Sequence, residues 1–320
     1  MAGHDQIQVP KSPQRILPVA GDAPPGRRFD ELTDPEIAAA LARSPRVILP
    51  MGSVEQHGPH LPTGTDSFAA TAIALEVAGH LDALVLPLCP LGVTPMHMPY
   101  PGTVSLRPGT LLDVVTDIGS SLAAHGGREF VILNWHEGNI PTLALAAERL
   151  HREIGLAVVV VQACYVAEER FGPQNGGLTH GGKIETWSVL CCRPELVHLD
   201  RAGGSGDRQR GELADQLRRD RSFQPVLTDV RTMSLTGWYG DPAGATEDEA
   251  KVFVAEIGAE IAARLDCVLQ ALATVQPGGQ PGRQAGSQPG TWGEVKEDIQ
   301  AARESLRLAL AGIQDLEEFL

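Results

Sequence analysis

The sequence predicts an α/β protein: a mostly parallel sheet covered by helices on both sides. Three observations predict it. Short runs rich in Val, Ile and Leu recur along the chain, and they are continuously apolar, as strands buried on both faces must be. Longer helical stretches separate them, and this alternation calls for crossover connections and a parallel sheet. A chain of 320 residues that is 42% hydrophobic and 21% charged has the composition of an ordinary globular protein, large enough for one sizeable core.

In chain order, residues 1–28 are rich in Pro, Gly and charge without a period, and read as an extended arm. The strands are expected at 46–50 (RVILP), 83–88 (ALVLPL), 129–134 (EFVILN) and 156–162 (LAVVVVQ). Helices are expected at 67–80, 108–125, 140–154, 182–192, 207–220 and 246–273, the last two with polar faces. The main domain then spans 29–275. Residues 276–290 (QPGGQPGRQAGSQPG) have too much Pro and Gly for a helix and read as a linker. Beyond it, residues 291–320 place Val295, Ile299, Ala302, Leu306, Leu310, Ile313 and Leu316 three or four apart, the apolar stripe of one amphipathic helix that needs a partner surface.

Charge narrows the function. With 26 Lys and Arg against 40 Asp and Glu, the formal net charge is −14, which disfavours a nucleic-acid partner. No run approaches the roughly 20 apolar residues of a membrane span. The first residues lack an export-type apolar core, so a cytoplasmic location is expected. Cys89, Cys164, Cys191, Cys192 and Cys267 show no Cys-x-x-Cys spacing and read as reduced thiols.

In open parallel sheets ligands sit beyond the carboxyl ends of strands. After the first expected strand comes a Gly- and Pro-rich loop in which Glu55 and His57 lie at i and i+2, pointing the same way on extended backbone. Asp66 follows, placed to return to that point or merely to cap the next helix. His136 follows the strand at 129–134. Mixed nitrogen and oxygen donors without cysteine suit Zn or Mn, and a bridging carboxylate can hold two such ions about 3.5–4 Å apart.

The run Gly-Ser-Val-Glu-Gln-His-Gly-Pro-His-Leu-Pro at 52–62, ending in Thr65-Asp66, resembles the creatininase family of metal-dependent amidohydrolases. So do Asn134 to Asn139, Pro101-Gly102-Thr103, His180-Gly181-Gly182 with Glu185-Thr186, and Gly240-Asp241-Pro242 with Ala245-Thr246. The resemblance covers about residues 29–270. It implies a three-layer α/β/α sandwich, two divalent ions per chain (Zn, Mn or one of each), and hydrolysis of a C–N amide bond by an acidified water. By position, Glu55 and His136 would bind one ion, His57 the other, Asp66 would bridge, and His180 would shuttle a proton to the leaving nitrogen. Relatives of this kind assemble as hexamers, so a homo-oligomer is expected.

Two departures matter. Creatininase itself has a carboxylate where this chain has Gly138, so the second ion needs Glu137 or, by preference, Glu185. An unligated Glu137 would face a cationic substrate group. Gly176 and Gly177 replace a Trp-Asp pair that contacts creatinine, which points to a different substrate: a cyclic amide, formamide or modified peptide of biosynthesis. Trp135, Trp187 and Trp238, with Thr94 and His97, form the expected substrate wall, although buried tryptophans need no function. The competing reading is a non-hydrolytic, partner-binding protein that has lost its second ion through Gly138 and uses the terminal helix.

Overall fold

The computed structural model describes residues 26–203, 208–220, 222–223 and 225–275, together with 296, 297, 300, 301 and 304. Nearly all of the expected arm, the whole linker at 276–290 and most of the terminal helix lie outside the described residues.

Among the described residues five strands form one all-parallel sheet in the order β1-β3-β2-β4-β5. They are β1 (Arg27–Arg28), β2 (Arg46–Met51), β3 (Leu84–Val85), β4 (Glu129–Asn134) and β5 (Ala157–Gln162). Three match the expected runs closely. The run at 83–88 yields only two strand residues, because Pro87 has no N–H to give to a ladder. The last two residues of the expected arm are an edge strand instead, too short to show a period.

Among the described residues there are eight α-helices, all but α7 packed on the sheet: α1 (Asp34–Arg43), α2 (Thr65–Leu81), α3 (Pro108–Ala124), α4 (Ile140–Ile154), α5 (Ala163–Phe171), α6 (Lys183–Leu190), α7 (Arg208–Arg218) and α8 (Glu247–Val275). Two of them, α1 and α5, were not expected. A capping box starts α1, with Thr33 and Glu36 satisfying each other's end of the first turn. One face of the sheet, through Ile48, Val85, Val131 and Leu133, packs on α2, α5, α6 and α8. The other, through Val47, Leu49, Phe130 and Ile132, packs on α1, α3 and α4. Neighbouring residues of β2 and β4 thus feed opposite cores, which is why both strands read as unbroken apolar text.

This topology sets the place of the site. From β2 the chain enters α2 on one face, and from β4 it enters α4 on the other. The two connections diverge at the carboxyl ends of adjacent strands, which opens a crevice between them. No helix among the described residues is long and apolar enough to cross a membrane.

Candidate metal centre and its cavity

The crevice holds the side chains that the sequence singles out. Glu55 and His57 stand on the loop after β2, His136 follows β4, and Glu185 lies in the first turn of α6. Asp66 is the second residue of α2 and does not cap it, since Gly64 occupies that place. Its carboxylate therefore sits at the positive end of a helix dipole, inside the crevice. All five are buried.

Asp66 faces two imidazoles at once. Its Oδ1 is 3.2 Å from His57 Nε2, and its Oδ2 is 3.2 Å from His136 Nδ1. Ser53 holds the second oxygen from behind by a hydroxyl bond of 2.6 Å. Glu55 Oε2 lies 3.4 Å from His136 Nδ1, and the hydroxyl of Thr94 donates to that same oxygen. Glu185 Oε2 is 3.8 Å from His57 Nε2 and accepts from the Gly181 N–H at 2.6 Å.

The far nitrogen of each imidazole is tied to main chain. His57 Nδ1 is 3.0 Å from the Glu55 carbonyl, and His136 Nε2 is 3.1 Å from the Val93 carbonyl. A carbonyl only accepts, so those nitrogens carry the protons, and His57 Nε2 and His136 Nδ1 are left with lone pairs aimed at carboxylates. His57 Nε2 has no hydrogen-bond partner among the described residues. Lone pairs facing buried carboxylates repel unless a proton or a cation lies between them. This donor set fits divalent ions, with the backbone carbonyls as orienting partners of the histidines.

The proton affinities of these side chains tell the same story. Burial works against a charge on His57, but Glu185, Asp66 and Glu55 outweigh it and raise its pKa to about 10. Burial likewise opposes a charge on His136, which Glu55 and Asp66 lift to about 9. Asp66 is held well below the usual carboxylate range, burial being overcome by His57 and His136. Burial pushes Glu185 up to about 8 against the pull of His57.

Around these groups lies a cavity of about 260 Å³. Thr94, His97, Trp135 and His180 line it, with Leu227, Val230 and Met233 as an apolar wall. Burial and the charge of His57 push the His180 pKa well below its ordinary value, so its ring is neutral. His180 Nδ1 is 3.9 Å from Glu55 Oε1, and its ring stacks 4.4 Å from that of His57. The next residue, Gly181, has φ +74° and approaches the His57 carbonyl so closely that a side chain would be strained there.

Glu137 lines the cavity but does not turn to the imidazoles. Its Oε1 accepts from Arg219 Nε at 2.8 Å, and Arg218 donates to Oε2. Burial opposes its charge, yet the two guanidinium groups hold its pKa down at about 2. With both oxygens taken by arginines, Glu137 is no open carboxylate for a cationic substrate. Two of the expected wall residues also lie elsewhere. Trp187 packs on Phe171 and Phe253, and Trp238 packs on His60. Neither lines the cavity: Trp187 belongs to the core that includes α8, and Trp238 lies against the loop glycines Gly58 and Gly181.

Gly138 has a local reason. A Cβ at that position would meet the Val93 carbonyl at 2.3 Å and His136 Nε2 at 2.5 Å. The hydrogen bond that orients His136 fills the space that a side chain would need.

Some site residues carry no signal that sequence reading used. Gln56 lies inside the same motif, and Arg218 and Arg219 stand at and just past the end of a helix that is otherwise merely polar.

Residues 30–265 match the family model described as creatinine amidohydrolase, nearly three quarters of the chain. The chain belongs to the creatininase family. It is 31% identical over 233 residues to the mycofactocin precursor peptide peptidase of Mycobacterium ulcerans, a match covering 69% of this chain and 84% of that one. It is 34% identical over 191 residues to the creatinine amidohydrolase of Pseudomonas putida, covering 53% and 74%. Among solved structures, a creatinine amidohydrolase superposes with a TM-score of 0.64 at 26% identity, covering 77% of this chain and 97% of that one. A structure titled as a manganese creatininase superposes with a TM-score of 0.61 at 26% identity, covering 73% and 94%. This membership confirms the expected α/β/α architecture. The creatininase-family chain is a hydrolase acting on C–N bonds other than ordinary peptide bonds.

Proposed function

We propose that this hydrolase binds two divalent ions, Zn or Mn, and cleaves an amide of a small cyclic, formamide or peptide-like biosynthetic substrate. Asp66 carries the reading: its two oxygens face two imidazoles whose other nitrogens are each fixed by a backbone carbonyl. Glu55 and His136 would hold one ion with Asp66, and His57 and Glu185 would hold the other with Asp66. Ions bound there would acidify a water and polarise the scissile carbonyl.

The chain's own residues supply the rest. His180, neutral and facing the site with Nδ1, takes a proton from the attacking water and returns it to the leaving nitrogen. A positioned acid–base group of this kind contributes about 10²–10⁴-fold. Thr94 keeps Glu55 in place through its hydroxyl. Leu227, Val230 and Met233 exclude water from one side of the cavity and favour a substrate with an apolar flank.

The test is metal analysis of the purified full-length chain beside a screen of cyclic amides, formamides and short peptides. Two equivalents of Zn or Mn, with amide cleavage that chelation abolishes and Zn or Mn restores, are expected. Hydrolysis that survives complete removal of metal would refute the reading.

A further inference from the structure

Two cavity histidines share one anchor. His97 and His180 stack with ring centres 4.5 Å apart, and each turns a nitrogen toward Glu55 Oε1: His97 Nε2 at 3.6 Å and His180 Nδ1 at 3.9 Å. Their other nitrogens both meet Gln56.

The buried Gln56 amide has one orientation that its surroundings allow. Its Oε1 accepts from the Gly58 N–H at 3.1 Å, and its Nε2 donates to the Gly237 carbonyl at 2.5 Å. The second Nε2 hydrogen goes to His97 Nδ1 at 3.0 Å, which must then carry a lone pair. The proton of His97 therefore sits on Nε2, toward Glu55. His180 is the reverse. Its Nε2 lies 2.6 Å from the Gln56 backbone carbonyl, which can only accept, so Nε2 carries the proton and Nδ1 is bare. The remaining approach, Gln56 Nε2 to His180 Nε2 at 3.1 Å, puts two donors side by side and carries no bond of its own, both amide hydrogens being committed.

We propose that Gln56 is a positioning residue that holds His97 and His180 so that one cavity wall presents an N–H from His97 beside a lone pair from His180. The two rings then divide the work. The bare His180 Nδ1 accepts a proton, and the His97 N–H steadies Glu55 Oε1 or an oxygen that gains charge. A neutral imidazole is a suitable donor for this purpose, since it offers a hydrogen bond without adding a charge to the site. This consequence rests on the hydrolase reading; the proton positions do not.

Long-range proton–nitrogen spectra of the zinc-loaded full-length chain, labelled at its ten histidines, read the tautomers directly. His97→Gln and His180→Gln identify the two rings. Both rings are expected as neutral Nε2–H forms in the wild type. A Nδ1–H form or a doubly protonated ring at either position at neutral pH overturns the proposal. In Gln56→Glu the side chain no longer donates, and His97 is expected to move to the Nδ1–H form. The metal content should stay unchanged, KM should stay within about threefold, and kcat should fall by about 100-fold. An unchanged His97 tautomer in that variant overturns the positioning role. Gln56→Leu serves if the glutamate variant does not fold: His97 should then populate both tautomers, and a single Nε2–H form overturns the role equally. Spectra as assigned, from a protein that cleaves no amide, uphold the proton positions and count against the hydrolase reading alone.

Discussion

Asp66 Oδ1 stands 3.2 Å from His57 Nε2, and because the carboxylate is planar that contact delivers its other oxygen to His136. One residue in the first turn of α2 thus joins donors from two strands. Asp66→Ala should lower the metal content from two equivalents toward zero, whereas His57→Ala and Glu185→Ala should each lower it toward one. Elemental analysis after gel filtration makes the comparison. Two equivalents retained in Asp66→Ala would remove it from the bridging position.

Gly138→Ala puts a methyl group where the Val93 carbonyl and His136 Nε2 already meet. Neither neighbour is the free end of a flexible chain, so the orienting bond must break or the loop must shift. Loss of an orienting partner typically costs a metal site about 10–100-fold in affinity. Competition with a chromophoric chelator should show one weakened ion, with Glu55, Asp66 and His57 untouched. Wild-type affinity for both ions would mean that the loop yields without disturbing His136.

Much of this centre is legible in the sequence, for a physical reason. Strands buried on both faces need apolar runs, and the loops that follow them carry the polar text, so Glu55, His57, Asp66 and His136 stand out at once. What escapes is what depends on long-range packing. Nothing in Arg218-Arg219 announces that two guanidinium groups reach Glu137, some 80 residues earlier, because a charged pair near a helix end is usually solvated. The tryptophans mislead in the opposite sense: Trp187 follows motif residues and Trp238 precedes them in sequence, yet neither side chain lines the cavity. Gln56 is hidden between two better-known donor types, and only the backbone partners of its amide reveal what it does.

Glu137→Gln separates a ligand from a structural carboxylate. The substitution leaves Arg218 and Arg219 facing the carboxylate of Asp215, and breaking a largely buried ion pair from one side costs about 3 kcal/mol. Denaturant unfolding should register that loss while metal content stays at two equivalents. A drop to one equivalent with stability intact would restore Glu137 to the second ion.

The ion-free protein should weaken as the solution turns alkaline. In the unfolded chain a histidine releases its proton near pH 6.5, whereas the folded site raises His57 to about 10 and His136 to about 9. A folded pKa above the unfolded one gives stability that is complete below about pH 6.5 and is lost as pH climbs through 9 to 10. Glu185 acts in the same sense at lower pH: its folded pKa of about 8 penalises the charged form, so stability declines between about 4.5 and 8. Metal-free protein should therefore show a Tm that falls from pH 6.5 to 10. Bound ions replace those protons, so metal affinity rises over the same range and the gap in Tm between loaded and metal-free protein widens. His57→Gln should flatten the metal-free curve, since its proton site is gone. Parallel curves for loaded and metal-free wild type would show that protons and metal do not compete for these two imidazoles.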